Sequence, residues 1–194
     1  GDNMLSGALP DFSLLPNLKL IGLNKNKLNG YLYNYSITNK LLSSLDIFDN
    51  QYTFYGLIQH TKVVSSLTKS SSIGFSTDSF TYSPQAKVFV DTTIYINQNS
   101  NYTLDLKFDD TVTTSTYTWY KNNVLYKSIE GSNKLPFNPF TSADAGTYTV
   151  KITNPHAPQL TLESHPIRLV ASPSLLCDRR SDSLELVKFY NATG

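Results

Sequence analysis

The side chains able to do chemistry are few in this chain, and they are scattered. His60, His156 and His165 stand far apart, and none falls at the His-x-x-x-His or Glu-x-x-His spacing that puts two metal ligands on one helix face. Each reads as a solvated loop histidine. Asp109 and Asp110 are adjacent carboxylates of the kind that hold Ca²⁺ at strand ends. No Asp-x-Asp-x-Asp run accompanies them, and they read as an ordinary turn. Cys177 sits beside Asp178, Arg179 and Arg180, and nearby cations favour a thiolate. As a lone thiol in a linker it reads as incidental. A single cysteine also excludes an internal disulfide framework and a cysteine zinc site. No G-x-S-x-G elbow and no phosphate-cradling glycine loop occurs. The chain is therefore expected to be no enzyme, with no catalytic residue, metal or cofactor.

The elements that would position other polar groups are written as a repeat. Leu18, Ile21, Leu23, Asn26 and Leu28 recur 24 residues later as Leu42, Leu45, Ile47, Asn50 and Tyr52. Asn3, Leu5 and Gly7 precede Asn26, Leu28 and Gly30 by 23 residues. This is the L-x-x-L-x-L-x-x-N-x-L pattern of a leucine-rich repeat, and the segment from Leu5 to Pro10 resembles its L-x-G-x-I-P variant. Ile21 and Leu23 alternate with Gly22 and Asn24, so a short strand turns the apolar pair inward. Asn26 and Asn50 follow the strands, where an amide side chain can bond backbone groups that the turn leaves free. Gly7 and Gly30 fall where the chain must bend sharply, a use of glycine's access to positive φ. After Asn50 the pattern decays, with Phe54 in the glycine position, and 52–67 is expected to close the open end. Such stacks need about three or more units, so this chain, which begins mid-repeat, is expected to be a piece of a longer protein.

Net charge is +1 and charged residues are 16%, which argues against steering nucleic acid or an anionic membrane. No apolar run of about 18 residues exists to span a bilayer. The serine-rich stretch 65–82 reads as an ordered, loop-rich join in which Phe75, Phe80 and Tyr82 pack against the end of the stack. Beyond it the period falls to two, with Tyr102, Leu104, Leu106 and Phe108 alternating with polar residues, and further runs at 117–125, 147–153 and 160–170. Short alternating strands separated by turn residues predict a two-layer β-sandwich. Trp119 resembles the core tryptophan of an immunoglobulin strand. Asp144, Gly146, Tyr148 and Val150 resemble its D-x-G-x-Y-x-C corner, where the tyrosine hydroxyl bonds back to the backbone. Val150 stands where an antibody-type domain keeps a cysteine, opposite Leu104 or Leu106. A disulfide contributes about 2–4 kcal/mol. Aliphatic burial at about 25 cal/mol per Å² supplies a similar amount.

At the other end, 184–190 reads as a short amphipathic helix, capped by Asp182 with Glu185 three residues on. The order of repeats, then the junction from Phe80 to Gln85, then an immunoglobulin-like domain resembles large bacterial surface proteins with leucine-rich repeats. That resemblance implies that 182–194 opens a following repeat array, and that the parent is exported and of the adhesin or surface-receptor type. Animal proteins joining the same two modules cap their repeats with cysteines, which are missing here. The sequons at Asn34, Asn101 and Asn191 fit surface loops, and a bacterial source leaves them bare.

The expected fold is mainly β: a leucine-rich repeat solenoid fragment, then an immunoglobulin-like β-sandwich, with a short C-terminal helix. Its divisions are 1–64 for the repeats and their cap, 65–84 for the join, 85–172 for the sandwich and 173–194 for a linker and helix. Two surfaces are binding candidates. One is the outward face of the repeat strands at Gly22, Asn24, Asp46 and Phe48, where an aromatic anchor sits among polar neighbours. The other is the loop at Asn154, Pro155 and His156, joining the last two sandwich strands. The expected function is a non-enzymatic binding module, extracellular or on the cell surface, that recognises a protein or glycan through its repeats. The alternative is a spacer holding neighbouring repeat domains of the parent chain apart. No nucleic-acid partner and no membrane insertion of this segment is expected.

Overall fold

A computed structural model describes residues 3–12, 14–33, 41–58 and 79–173. The expectations for Phe75, His60, Cys177, the sequons at Asn34 and Asn191 and the C-terminal helix lie outside the described residues.

The first part is a stack of short parallel strands. β1 (Ser6–Gly7) pairs with β3 (Lys27–Leu28) along one side. Along the other, β2 (Leu20–Gly22), β4 (Ser44–Asp46) and β5 (Ser79–Thr81) pair in that order, with Ile21, Leu45 and Phe80 in register. Ile21, Leu28, Leu45 and Ile47 are buried, and Leu23 and Phe80 are half-buried. Gly7 and Gly30 bend the chain at φ +87° and +84°.

β5 corrects the reading of 65–82 as a loop-rich join. Phe80, Tyr82 and Gln85 stand 35 residues after Leu45, Ile47 and Asn50, and β5 adds a further rung beside β4. Aromatic side chains replace the leucines, and glutamine replaces asparagine. Their roles are unchanged. Asn26 Oδ1 accepts the Leu5 N–H at 3.1 Å, Asn50 Oδ1 accepts that of Leu28 at 2.9 Å, and Gln85 Oε1 accepts that of Tyr52 at 3.1 Å. Each amide nitrogen donates to carbonyls beside it: Asn26 to Leu23 and Asn24, Asn50 to Leu23 and Ile47, Gln85 to Ile47 and Tyr82.

Where Phe54 replaces the repeat's glycine the chain turns into a short helix, α1 (Phe54–Ile58), with Phe54 and Leu57 fully buried. The Gly56 carbonyl accepts the Leu32 N–H at 3.2 Å, and α1 packs directly on the Gly30 turn.

The second part is the two-layer sandwich. Its larger sheet runs β6 (Thr92–Asn97), β13 (Ile167–Ser172), β11 (Gly146–Thr153), β8 (Thr116–Lys121) and β9 (Val124–Glu130), with β12 (Thr161–Glu163) beside β11. The facing sheet is β10 (Lys134–Phe137) and β7 (Tyr102–Asp105). β6 is parallel to β13, and the other pairings in the sandwich sheets are antiparallel. Trp119, Val150, Leu104, Leu106 and Leu135 are all buried between the layers. The Tyr148 hydroxyl donates to the Asp144 carbonyl at 2.7 Å, the corner bond expected from the motif.

The alternating run at 160–170 is two strands rather than one. It breaks at Ser164, whose hydroxyl accepts the Val150 N–H at 3.0 Å while its own N–H donates to the Val150 carbonyl at 3.0 Å. Proline at 166 donates no ladder bond, so the strand cannot continue through it. The loop at 154–160 therefore joins β11 to β12, not the last two strands.

A Cβ added at Gly56 would lie 1.9 Å from the Gly30 carbonyl oxygen, which is backbone and cannot turn aside. Gly56→Ala is expected to cost about 1–3 kcal/mol of stability in denaturant unfolding, the usual penalty of overpacking. An unchanged midpoint would contradict the packing of α1 on the repeat turn.

Candidate functional site

The outward face of β2, β4 and β5 carries one acidic group in a polar, hydroxyl-rich setting. Leu20 is 65% exposed, Gly22 is exposed, and Ser44, Asp46 and Thr81 are half-buried. Thr81 Oγ1 donates to Asp46 Oδ1 at 2.5 Å, and Ser44 Oγ donates to Asp46 Oδ2 at 3.4 Å. The carboxylate is thus steered by hydroxyls from its own strand and the next. Asn24 and Phe48 follow the strands and are half-buried; their carbonyls accept the Asn26 and Asn50 amide nitrogens at 3.0 and 3.3 Å. The four residues expected on this face lie along two adjacent rungs. Leu20, Ser44 and Thr81 belong with them, and Thr81 was hidden because its strand was read as a join. The arrangement can accept hydrogen bonds from hydroxyl, ammonium or guanidinium groups and offer an apolar edge.

The sandwich loop is built differently. Asn154 is buried, its Nδ2 donating to Thr114 Oγ1 and Ser115 Oγ, both at 2.9 Å, and its Oδ1 accepting the His156 N–H at 2.9 Å. Its amide holds the loop in shape. Pro155 is exposed and His156 half-buried. The same loop reaches the stack, for the Gln159 N–H donates to the Tyr82 hydroxyl at 3.3 Å.

A second link between the two parts is Asp109, 9% exposed, whose Oδ1 accepts the Thr53 hydroxyl at 2.6 Å. Thr53 immediately precedes α1, so a sandwich carboxylate sits at the start of a helix in the stack. Burial pushes the Asp109 carboxyl up from the usual range; the Thr53 hydroxyl and the Tyr55 and Phe54 amides oppose this, and the Asp110 charge adds to it. The buried Tyr117 hydroxyl is pushed up to about 12 by burial and then by the Asp109 charge. Asp110 turns the other way and accepts from Asn133 Nδ2, which also donates to the Phe108 carbonyl at 2.7 Å. The adjacent carboxylates therefore serve separate partners. Lys107, at the lip of the shallow cleft beside them, is bonded to Asp105 at 2.9 Å. Among the described residues no group of three or more His, Cys, Asp or Glu is placed to hold a metal ion. No helix among them is long and apolar enough to cross a membrane.

No protein-family model matches the chain, and no curated protein matches it. Among solved structures, the extracellular domains 3–5 of Drosophila OTK are 15% identical, over 45% of this chain and 34% of that one, with a TM-score of 0.36. The immunoglobulin-like domain of mouse leukocyte-associated immunoglobulin-like receptor 1, a strand-swapped dimer, is 10% identical over 45% of this chain and 97% of its own, with a TM-score of 0.31. The chain spans about a third of the length of the Drosophila structure that it matches. These neighbours are extracellular and immunoglobulin-like domains.

The raised Asp109 pKa makes a pH prediction. A carboxyl whose folded pKa lies above its unfolded value, about 3.9, holds its proton longer when folded, so its stability is full below the unfolded pKa and is lost as pH rises through the folded one. Asp109→Asn keeps an acceptor for Thr53 and removes the buried charge. It is expected to be more stable than the wild type at neutral pH, the gap closing as pH falls toward about 4. Denaturant melts across that range check it. A variant less stable than the wild type by one margin at every pH would contradict the assignment.

Proposed function

We propose that the chain is a non-enzymatic binding module of an exported, multidomain surface protein, that its first part is a leucine-rich repeat stack, and that the outward strand face recognises a protein or glycan. The sandwich is then an immunoglobulin-like domain placed directly after the stack. The observation that carries this reading is the presentation of Asp46 between Ser44 and Thr81, beside the exposed Leu20 and the half-buried Phe48. An acceptor oriented in advance, with an apolar neighbour, loses little entropy on binding and suits hydroxyl-bearing or basic ligands.

The proposed divisions are a stack running through β5 to Gln85, a sandwich directly after it and a following segment. That favours a second role. Asp109 on Thr53 and Tyr82 on Gln159 tie the two parts together, as a spacer holding neighbouring repeats at one geometry requires.

Asp46→Ala and Phe48→Ala separate the two readings. Each is expected to weaken attachment to cells or arrayed glycans by about tenfold, equivalent to about 1.4 kcal/mol, without lowering the melting temperature. Attachment unchanged in both variants would remove the strand face as the binding surface and leave the spacer.

A further inference from the structure

We infer that Asn101 is an N-glycosylation site; the inference rests on the extracellular reading above, in cells that glycosylate the proteins they export. Asn101, Tyr102 and Thr103 form an acceptor sequon with a permitted middle residue. Strand alternation sorts the three. Tyr102 turns inward, its ring 6.3 Å from that of Phe137 and 6.4 Å from that of Phe140, whereas Asn101 and Thr103 are exposed on the outer side. The amides of Asn26, Asn50, Asn122, Asn133 and Asn154 all make hydrogen bonds. The Asn101 amide makes none among the described residues. Its modification breaks no hydrogen bond among the described residues.

The position also explains what a glycan does there. Among the described residues β7 pairs only with β10, and its other edge is one on which another strand can add. A bulky, hydrated group at the head of β7 covers that edge without entering the core. In the transfer, Asn101 Nδ2 bonds to the anomeric carbon of a lipid-diphosphate-linked oligosaccharide. The carbon–oxygen bond to the diphosphate breaks with its electron pair leaving on oxygen, and the amide gives up one proton.

The test is peptide mapping of the protein purified from the cells that make it, with N-glycosidase treatment in heavy-oxygen water. The expected result is conversion of Asn101 to a labelled aspartate in most molecules. Secreted variants check the chemistry: Thr103→Val, which keeps a β-branched residue in the strand, is expected to lose the glycan, and Thr103→Ser to retain it. Surface-located protein with a bare Asn101 would overturn this inference and leave the extracellular reading standing. Protein confined to the cytosol would overturn both.

Discussion

Every turn of a parallel stack with strands this short leaves buried N–H and carbonyl groups that the strands cannot pair, and each one left open costs about 1–3 kcal/mol. The column of amide side chains meets that constraint. An amide accepts through its oxygen and carries two hydrogens on its nitrogen, so one side chain takes the N–H of the previous turn and gives its own hydrogens to carbonyls beside it. Asn26, Asn50 and Gln85 do this at successive levels, and Asn50 is fully buried while doing so. A carboxylate at these positions would have no hydrogen to give, and a hydroxyl would have one where two carbonyls wait. The strand face that we propose for binding exists because this column holds the rungs in register behind it.

The last rung has a further consequence. At Gln85 the column ends where the sandwich begins, and the chain passes on without a flexible stretch: the Ala86 N–H donates to the Asn50 carbonyl at 2.7 Å, and the Val88 N–H to the Glu163 carbonyl at 2.8 Å. One residue, Lys87, lies between a bond to the stack and a bond to the sandwich. Asp109 closes the other side by meeting α1 at its start. Burial and hydrogen bonding pull on this carboxyl in opposite directions, and burial wins. Hydrogen bonds thus join the stack to the sandwich at more than one place.

Much of this was legible in the residues, for identifiable reasons. The 24-residue spacing of Asn26 and Asn50, the two glycines at positive φ, and the Trp119 and Tyr148 landmarks are local patterns, and each rests on one residue type doing one job. β5 was not legible, because its spacing is 35 residues and its Phe80, Tyr82 and Gln85 keep the physical roles of Leu, Ile and Asn without their identities. Nor was Asp109, which pairs across 56 residues of sequence and looks like half of a turn when read alone. Asn154 was read as a loop residue available to a ligand; its neighbours Thr114 and Ser115 come from a segment some 40 residues earlier. Long-range polar contacts leave no periodic trace.

Amide hydrogen exchange at Tyr52 tests the central point most directly, since its N–H is held by the Gln85 side chain across 33 residues. The account predicts slow exchange in the wild type and fast exchange in Gln85→Ala, with the amides of β11 in the sandwich unaffected. Fast exchange at Tyr52 in the wild type, or protection that survives the loss of Gln85, would contradict a stack that runs on to the sandwich through a third amide rung.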